Sequence, residues 1–233
     1  MGQIASDALS ALMHALIQGK SESEAAALAA SIIVKAGGGY QRIAINHGSD
    51  ASKHFWSDPF YAFSKETPQT GDMLRGWVYG PLSKGLWIDP GRTAVCGNSP
   101  SAEQRALVDD VLKVIDAVVD NTRVGITPRE VGLKTDAVAE SVGYFDTPAG
   151  AIWELYGHGL GYYFTLPFVP AGLPADTEVP EEHELERPYE AGMVLSSEAF
   201  LSRPGVGSAT HEDIFILTDE GTEIITTTPR VFW

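Results

Sequence analysis

The sequence predicts an α+β domain built from two similar halves, and three observations support this prediction. Amphipathic helix patterns occur in two pairs, one near the N-terminus and one near the middle of the chain. After each pair the pattern becomes strand-like, with glycine and proline between the runs. Residues 19–38 also resemble residues 125–143 at a constant offset of 106 positions. We therefore expect a pseudo-symmetric fold of two helix-hairpin-plus-antiparallel-sheet halves that enclose a site.

The repeat rests on positions that carry the same or a similar residue in both copies: Gly19 and Gly125, Ser21 and Thr127, Glu24 and Glu130, and Gly37 and Gly143. In each copy a hydroxyl residue precedes a glutamate by three positions, which is the capping-box pattern that begins a helix. A chance likeness between two amphipathic helices would produce the same matches. The alternative of two unrelated halves therefore stays open.

The elements follow the same order in both halves. In the first, helix patterns in ASDALSALMHALIQ and after Ser21 precede strand-like runs in YQRIAIN, MLRGWVYG and RTAVCG. In the second, helix patterns in SAEQRALVDDVLKVIDAVVDNT and after Thr127 precede runs in AIWELYGHGLGYYF, MVLSSEAFL, DIFILTD and TEIITTT. We expect one domain over residues 1–233, with halves of about 1–97 and 98–233.

Composition restricts the possible partners and location. The chain of 233 residues is 44% hydrophobic, which is enough apolar sequence for a sizeable core. Its formal charge of -15 argues against nucleic acid and anionic membranes as partners. No apolar run reaches the roughly 20 residues that span a bilayer, and the N-terminus lacks the basic start of a signal peptide. A single cysteine fits a reducing compartment, so we expect a cytoplasmic protein.

Four ionisable residues lie singly in or beside apolar, strand-like stretches: Asp89, His158, Glu198 and Glu212. An unpaired buried charge is costly, and a metal ion would compensate it. Three carboxylates and one imidazole suit Mn(II), Fe(II), Co(II) or Zn(II). Glycines flank His158, and we expect them to let a ligand approach the imidazole closely. Two alternatives remain: any of the acids would also pair with Arg92, and the histidine would also bond a neighbouring carbonyl.

Several segments in this order resemble the pita-bread metallopeptidase family of methionine aminopeptidase, aminopeptidase P, prolidase and creatinase: GDMLRGWVYGPLSKGLWIDPGRTAVCG, GHGLG, GMVLSSEAF and HEDIFILTDEGTEIIT. The resemblance implies a pita-bread fold whose sheet holds two divalent metals on two aspartates, one histidine and two glutamates. It assigns metal-ligand roles to Asp89, His158, Glu198 and Glu212, and a substrate-side role to His54. The N-terminal domain that creatinase, prolidase and aminopeptidase P carry has no counterpart, so we expect the catalytic domain only.

The sequence departs from the family pattern at two positions. The first family aspartate belongs about eleven residues before Asp89, where GWVYG places Trp77 or Val78 instead. The second histidine belongs seven residues after His158, where Thr165 donates a hydrogen bond but does not shuttle a proton. One metal position therefore loses its principal ligand. We expect one divalent ion per chain, which is Mn, Fe, Co or Zn.

The resemblance and these departures together predict a metal-dependent hydrolase that resembles Xaa-Pro peptidases. In this prediction water cleaves a C–N bond of a short peptide or small molecule at a degenerate, mononuclear site. Glu198 accepts a proton from the water in addition to, or instead of, binding the metal. His54 and Thr165 are the other candidate catalytic residues. Relatives in the family often dimerise, which allows a homodimer.

Two alternative functions remain open on the same fold. One is a non-peptidase enzyme, either a creatinase-like C–N hydrolase or a lyase of the dimethylsulfoniopropionate type. Aromatic residues near the site favour it, since they can hold a cationic substrate by cation–π attraction: Trp77, Tyr162 and Tyr163. Ordinary strand packing would explain the same aromatics. The other alternative is a binding module without catalysis, although such a module would not need buried acids.

Overall fold

The computed structural model describes residues 1–48, 63–146, 154–180 and 183–233. Within these ranges the helices are α1 (Gly2–Ile17), α2 (Glu22–Lys35), α3 (Ala102–Asn121) and α4 (Pro128–Ser141). The strands are β1 (Arg42–His47), β2 (Met73–Ser83), β3 (Leu86–Ile88), β4 (Gly91–Val95), β5 (Leu155–Leu160), β6 (Phe164–Pro170), β7 (Val194–Arg203), β8 (Gly207–Thr218) and β9 (Gly221–Ile224). The structure thus confirms the predicted mixture of helix pairs and antiparallel strands.

The second helix of each pair begins where the capping boxes predict. The Ser21 hydroxyl accepts the backbone N–H of Glu24, and the Glu24 carboxylate accepts the backbone N–H of Ser21. Thr127 and Glu130 make the same two contacts at the start of α4. Such a cap stabilises a helix by about 1 kcal/mol. Both copies of the repeat are therefore helix starts of the same construction.

The glycines of the repeat are also structurally equivalent. Gly37 and Gly143 have φ angles of 78° and 73°, the left-handed conformation that ends a helix. Gly19 and Gly125, which precede the capping residues, have φ angles of 75° and 84°. Glycine adopts this conformation at little cost, whereas other residues do so with strain. The repeat therefore preserves the turns on both sides of the second helix.

The strands form one sheet in the order β1-β2-β4-β8-β7-β5-β6, with β3 paired to β2 and β9 paired to β8. All of these pairings are antiparallel. The first-half strands meet the second-half strands where β4 lies beside β8, with Gly91 opposite Glu212. This junction is where the sequence predicts a site.

Helices cover one face of the sheet, and the other face carries the candidate site. Ala199 and Phe215 pack with buried residues of α3, and a side chain at Gly76 would meet α1. Side chains alternate between the faces of a strand, so residues one position away project from the opposite face. We use the name site row for four residues that are paired in succession across β2, β4, β8 and β7: Trp77, Gly91, Glu212 and Glu198.

Two strands were not predicted, and β8 begins earlier than predicted. β3 contains only three residues, which is too short for an alternating pattern. β6 contains Pro167 and Pro170, which argue against a strand unless it lies at the edge of a sheet, as β6 does. β8 begins at Gly207, in a polar stretch before the predicted DIFILTD run. None of the four described helices combines the length and apolarity needed to cross a bilayer.

Candidate metal centre

Asp89, His158 and Glu212 bring their side chains together on the sheet. Asp89 lies between β3 and β4, His158 is on β5, and Glu212 is on β8. The His158 Nε2 atom is 3.5 Å from Asp89 Oδ2 and 3.6 Å from Glu212 Oε1. The potential ligand atoms of all three residues lie within 4.8 Å of one another, and all three residues are buried. Two acids and an imidazole from both halves of the chain thus converge on one point.

The glycines beside His158 serve strand packing. A Cβ atom on Gly157 would lie 2.0 Å from the carbonyl oxygen of Ser196, and one on Gly159 would lie 2.5 Å from that of Leu166. The expectation that these glycines admit a ligand to the imidazole is therefore wrong, because they let β5 fit between β6 and β7. The His158 Nδ1–H donates to the Gly159 carbonyl at 3.0 Å, which leaves Nε2 facing the acids.

Glu198 lies beside this cluster, directly across from Glu212 in the β7–β8 ladder. It is buried, and it projects from the same face of the sheet as Glu212. It is outside the set of ligand atoms that fall within 4.8 Å. The structure thus brings the four predicted ligands to one part of the sheet, with Asp89, His158 and Glu212 most tightly grouped.

The electrostatics of the cluster favour a cation. Burial and the neighbouring Glu212 charge raise the pKa of Glu198 well above its ordinary value. Burial and the charge of Asp89 likewise raise the pKa of Glu212 well above its ordinary value. Burial also raises the pKa of Asp89, while the charge of His158 opposes this rise. Without a cation, protons must neutralise these acids, and a divalent ion would replace the protons.

Two buried oxygen atoms in the cluster also match the needs of a metal ion. Considering only the residues that the structure describes, Asp89 Oδ1 and Glu212 Oε1 receive no hydrogen bond. A buried acceptor without a donor costs about 1 to 3 kcal/mol or more when it is charged. Carboxylate oxygens and an imidazole nitrogen are ligands that Mn(II), Fe(II), Co(II) and Zn(II) accept. The residues present therefore fit a divalent metal ion.

Trp77 fills the space beside this cluster in the site row. It is 2% exposed, and a Cβ atom on Gly91 would lie only 2.2 Å from its Nε1 atom. The indole stacks on Phe200 with ring centroids 5.7 Å apart. Val78 projects from the opposite face of β2, the face that packs on the helices. Of the two residues that the sequence offered for the missing aspartate, Trp77 is the one that faces the cluster.

Arg92 supports the cluster from behind the sheet. Its guanidinium group donates to the Glu212 carbonyl oxygen at 2.7 Å and to the Asp213 carboxylate at 2.6 Å. Asp213 Oδ2 in turn lies 2.9 Å from the Nε2 atom of His211. The alternative that Arg92 pairs with a candidate metal ligand is therefore wrong, since its carboxylate partner is Asp213.

Arg92, Asp213 and His211, the supporting group behind the sheet, have strongly interacting charges that shift the pKa values of the last two residues. Burial and the charge of Arg92 lower the pKa of His211 to about 4. Burial alone would raise the pKa of Asp213, but His211 and Arg92 outweigh it and hold the pKa below its ordinary value. Sequence reasoning missed the pair of Arg92 and Asp213. The available signal was one buried charge of each sign in two predicted strands.

The remaining predicted site residues lie in the β5–β6 hairpin or outside the described residues. Tyr162 is 80% exposed in the turn between β5 and β6, and the ring of Tyr163 lies 4.7 Å from that of Trp87. Thr165 is exposed on β6, opposite Gly159. His54 lies outside the described residues. The roles of these residues remain predictions.

Comparisons with known proteins identify the family and the relatives that this chain resembles. The sequence model described as metallopeptidase family M24 matches residues 1–219. The Xaa-Pro dipeptidase of Pyrococcus furiosus is 26% identical over 231 residues, which cover 98% of this chain and 60% of the relative.

Solved structures show the same fold. Dipeptidase PepE from Mycobacterium ulcerans matches with a TM-score of 0.74 and 25% identity, over 99% of this chain and 58% of that one. Prolidase from Pyrococcus furiosus matches with a TM-score of 0.77 and 24% identity, over 98% of this chain and 62% of that one. The chain thus spans about 60% of the length of the curated relative it matches.

Proposed function

The chain belongs to metallopeptidase family M24, and from this premise we propose that it is a metal-dependent hydrolase resembling Xaa-Pro peptidases. The observation that carries the proposal is the buried cluster of Asp89, His158 and Glu212, whose ligand atoms lie within 4.8 Å of one another. The similarity to an Xaa-Pro dipeptidase favours short peptides that contain proline as substrates. The scissile bond would be the C–N bond before the proline.

We propose that the site holds one divalent ion per chain. Asp89, His158 and Glu212 would be its ligands, with Glu198 beside them. A second ion would need a carboxylate in the site row, where the Trp77 indole lies over Gly91 instead. Hard cations prefer about six ligands each. The acids of the cluster, shared between two ions, would not provide enough ligand atoms for both. The candidates for the ion are Mn, Fe, Co and Zn.

The ion would supply Lewis-acid activation of a water molecule. In the proposed mechanism Glu198 accepts a proton from the attacking water while the water oxygen bonds to the carbonyl carbon. When the C–N bond breaks, Glu198 returns this proton to the leaving nitrogen. Its place beside the cluster, directly across from Glu212 in the β7–β8 ladder, supports this role.

The substrate side of the site would be formed by two groups of residues. His54 and Thr165 are proposed to contact the scissile group, as the family resemblance implies. Trp77, Tyr162 and Tyr163 are proposed to line the substrate pocket. Trp77 supports this assignment most directly, because it lies in the site row next to the Gly91–Glu212 pair.

A second candidate is a non-peptidase enzyme of the same fold, such as a creatinase-like hydrolase or a lyase. Tyr163 is half-exposed, and its ring lies 4.7 Å from Trp87. Two aromatic rings in such contact can hold a quaternary ammonium or sulfonium group by cation–π attraction. We rank this candidate second because the similarity to an Xaa-Pro dipeptidase covers 98% of the chain.

Metal-dependent turnover tests the proposal. The metal-free protein is loaded with Mn(II), Fe(II), Co(II) or Zn(II) and assayed with Xaa-Pro dipeptides, creatine-like compounds and sulfonium compounds. We expect metal-dependent hydrolysis of Xaa-Pro dipeptides, and a loss of about 100-fold or more in His158→Ala. His14→Ala is the matched control, because His14 is exposed on α1. Turnover of none of these substrates with any metal would contradict the proposal.

A further inference from the structure

Tyr79 lies next to Asp89 on the site side of the sheet. The pairs Trp77–Gly91 and Gly80–Ile88 belong to one register, which places Tyr79 directly opposite Asp89. Residues opposite each other in an antiparallel pair have Cβ atoms about 4.5 to 5.5 Å apart and project from the same face. Tyr79 is 7% exposed. Its phenol ring therefore forms a wall of the site beside Asp89, two residues along β2 from Trp77 of the site row.

Arg42 controls the direction in which the Tyr79 hydroxyl donates. Arg42 is the partner of Tyr79 across β1 and β2, and its Nη1 atom donates to the phenol oxygen at 3.3 Å. Because the guanidinium group has no acceptor, the phenol proton must point elsewhere. Over the described ranges of the chain, no acceptor for that proton is found.

The phenol stays protonated and fixed in place. Burial raises the pKa of Tyr79 to about 12, against the opposing effect of Arg42. The charges of Asp89 and Glu212 also contribute to this rise, as expected for a hydroxyl group near both acids. The ring of Trp87 lies 6.4 Å from that of Tyr79. The site therefore holds a neutral hydrogen-bond donor next to a positive charge.

On the basis of the proposed function, we propose that the Tyr79 hydroxyl is a catalytic residue that donates a hydrogen bond to the scissile carbonyl oxygen. When the water oxygen bonds to the carbonyl carbon, the electron pair of the C=O double bond moves to this oxygen and makes it anionic. The Tyr79 O–H stabilises the anion without transferring its proton, and Arg42 strengthens the donor. When the C–N bond breaks, the pair returns to form the carbonyl.

This role explains how the site operates without the second histidine of the family pattern. Thr165, at that position, is exposed on β6. Tyr79 instead approaches from β2, a strand that already contributes Trp77. A structural role, through the ring and the hydrogen bond from Arg42, would affect stability but not the affinity for a tetrahedral anion. Oxyanion stabilisation requires the hydroxyl group for that affinity. The two roles are separated by Tyr79→Phe, which removes only the oxygen.

The test is the binding of a phosphinic pseudodipeptide, an uncleavable anion with tetrahedral geometry at the scissile position. Its dissociation constant is measured by calorimetry on metal-loaded wild type, Tyr79→Phe and the control Tyr40→Phe, whose tyrosine is exposed and has no proposed role in the site. We expect Tyr79→Phe to weaken binding about 10- to 100-fold, the effect of losing one hydrogen bond to an anion. We expect kcat of Tyr79→Phe to fall about 100-fold with KM nearly unchanged, and Tyr40→Phe to match wild type. Metal content should be equal in all three.

Several results would overturn the inference. Tyr79→Phe with phosphinate affinity within about twofold of wild type would assign Tyr79 a structural role, given that one lost donor costs far more. Metal-loaded wild type that does not bind the phosphinate would also overturn it. If Tyr79→Phe does not fold, Arg42→Gln replaces it, because its amide oxygen can accept the phenol proton. Phosphinate affinity should then fall, and an affinity within about twofold of wild type would overturn the inference. Phosphinate binding that depends on Tyr79 without turnover of any peptide would support the inference and contradict the proposed function.

Discussion

Replacing Gly91 with alanine tests whether the Trp77 indole occupies the space beside Glu212. The added Cβ atom would lie 2.2 Å from Nε1 and 2.4 Å from Cδ1 of Trp77. Gly91 does not have a positive φ, so alanine introduces no backbone strain of its own. The indole cannot move away easily, because it is buried and stacked on Phe200. The cost of the substitution should therefore come from this one contact.

The size of the effect follows from the packing. Overfilling a well-packed interior costs about 1 to 3 kcal/mol. For a domain of this size each kcal/mol lowers the melting temperature by about 2 to 4 °C. Trp77→Ala itself should cost about 3 to 5 kcal/mol, since it removes a large buried ring. In that background Gly91→Ala should be nearly neutral, which gives a coupling energy of about 1 to 3 kcal/mol.

Urea unfolding monitored by circular dichroism measures all four proteins of this cycle. Gly161→Ala is the matched control, because no heavy atom lies within 4 Å of its added Cβ atom. Gly91→Ala should unfold at lower urea concentration than wild type, and Gly161→Ala at a similar one. If Gly91→Ala were as stable as wild type, or cost the same with and without Trp77, the indole would not lie over Gly91 and our reasoning would be refuted.

Three further predictions concern the charges around the cluster. Trp77→Asp should raise the number of divalent ions bound per chain from one to two, since it restores a carboxylate in the site row. Metal analysis of the purified variant measures this number, and an unchanged value would contradict the prediction. Because the pKa values of Asp89, Glu198 and Glu212 are raised in the metal-free protein, their contribution to stability is lost as the pH rises through these values. The metal-free wild type should therefore lose stability as the pH rises above about 4, the ordinary pKa of a carboxyl group, and Glu212→Gln should lose less. An equal pH dependence of the melting temperature in the two proteins would be evidence against this. Arg92→Met should lower the free energy of unfolding in urea by about 3 to 5 kcal/mol, because it leaves the buried Asp213 carboxylate without the Arg92 guanidinium group. The double variant Arg92→Met with Asp213→Leu should recover most of that loss. No recovery in the double variant would contradict the pairing.

Local signals in the sequence predicted the helices better than the strands. The capping boxes at Ser21 and Thr127 involve residues three positions apart, so the sequence alone locates both helix starts. The missed strands, β3 and β6, depend on the sheet around them. β3 forms by pairing with β2, and β6 contains prolines that only an edge strand tolerates. Such strands are determined by tertiary contacts.

The site was predictable where a residue is unusual in its own segment. Asp89, His158 and Glu212 are single ionisable groups in apolar surroundings, and this marked them as candidate ligands. Whether Trp77 or Val78 faces the site depends on which side of β2 is covered by helices. The position of Tyr79 opposite Asp89 depends on strand register, which residues 79 and 89 do not encode locally. Sequence patterns therefore identify the acids but not the groups that surround them.

The number of divalent ions bound per chain tests the single-ion interpretation most directly. The purified protein is loaded with Mn(II) or Fe(II), freed of loosely bound metal and analysed for metal and protein content. We predict one tightly bound ion per chain in wild type. We predict none in the double variant that combines His158→Ala and Glu212→Gln, because each substitution removes a ligand of the cluster. Two tightly bound ions per chain in wild type, with rapid cleavage of Xaa-Pro peptides, would contradict the conclusion that Trp77 replaces a metal ligand.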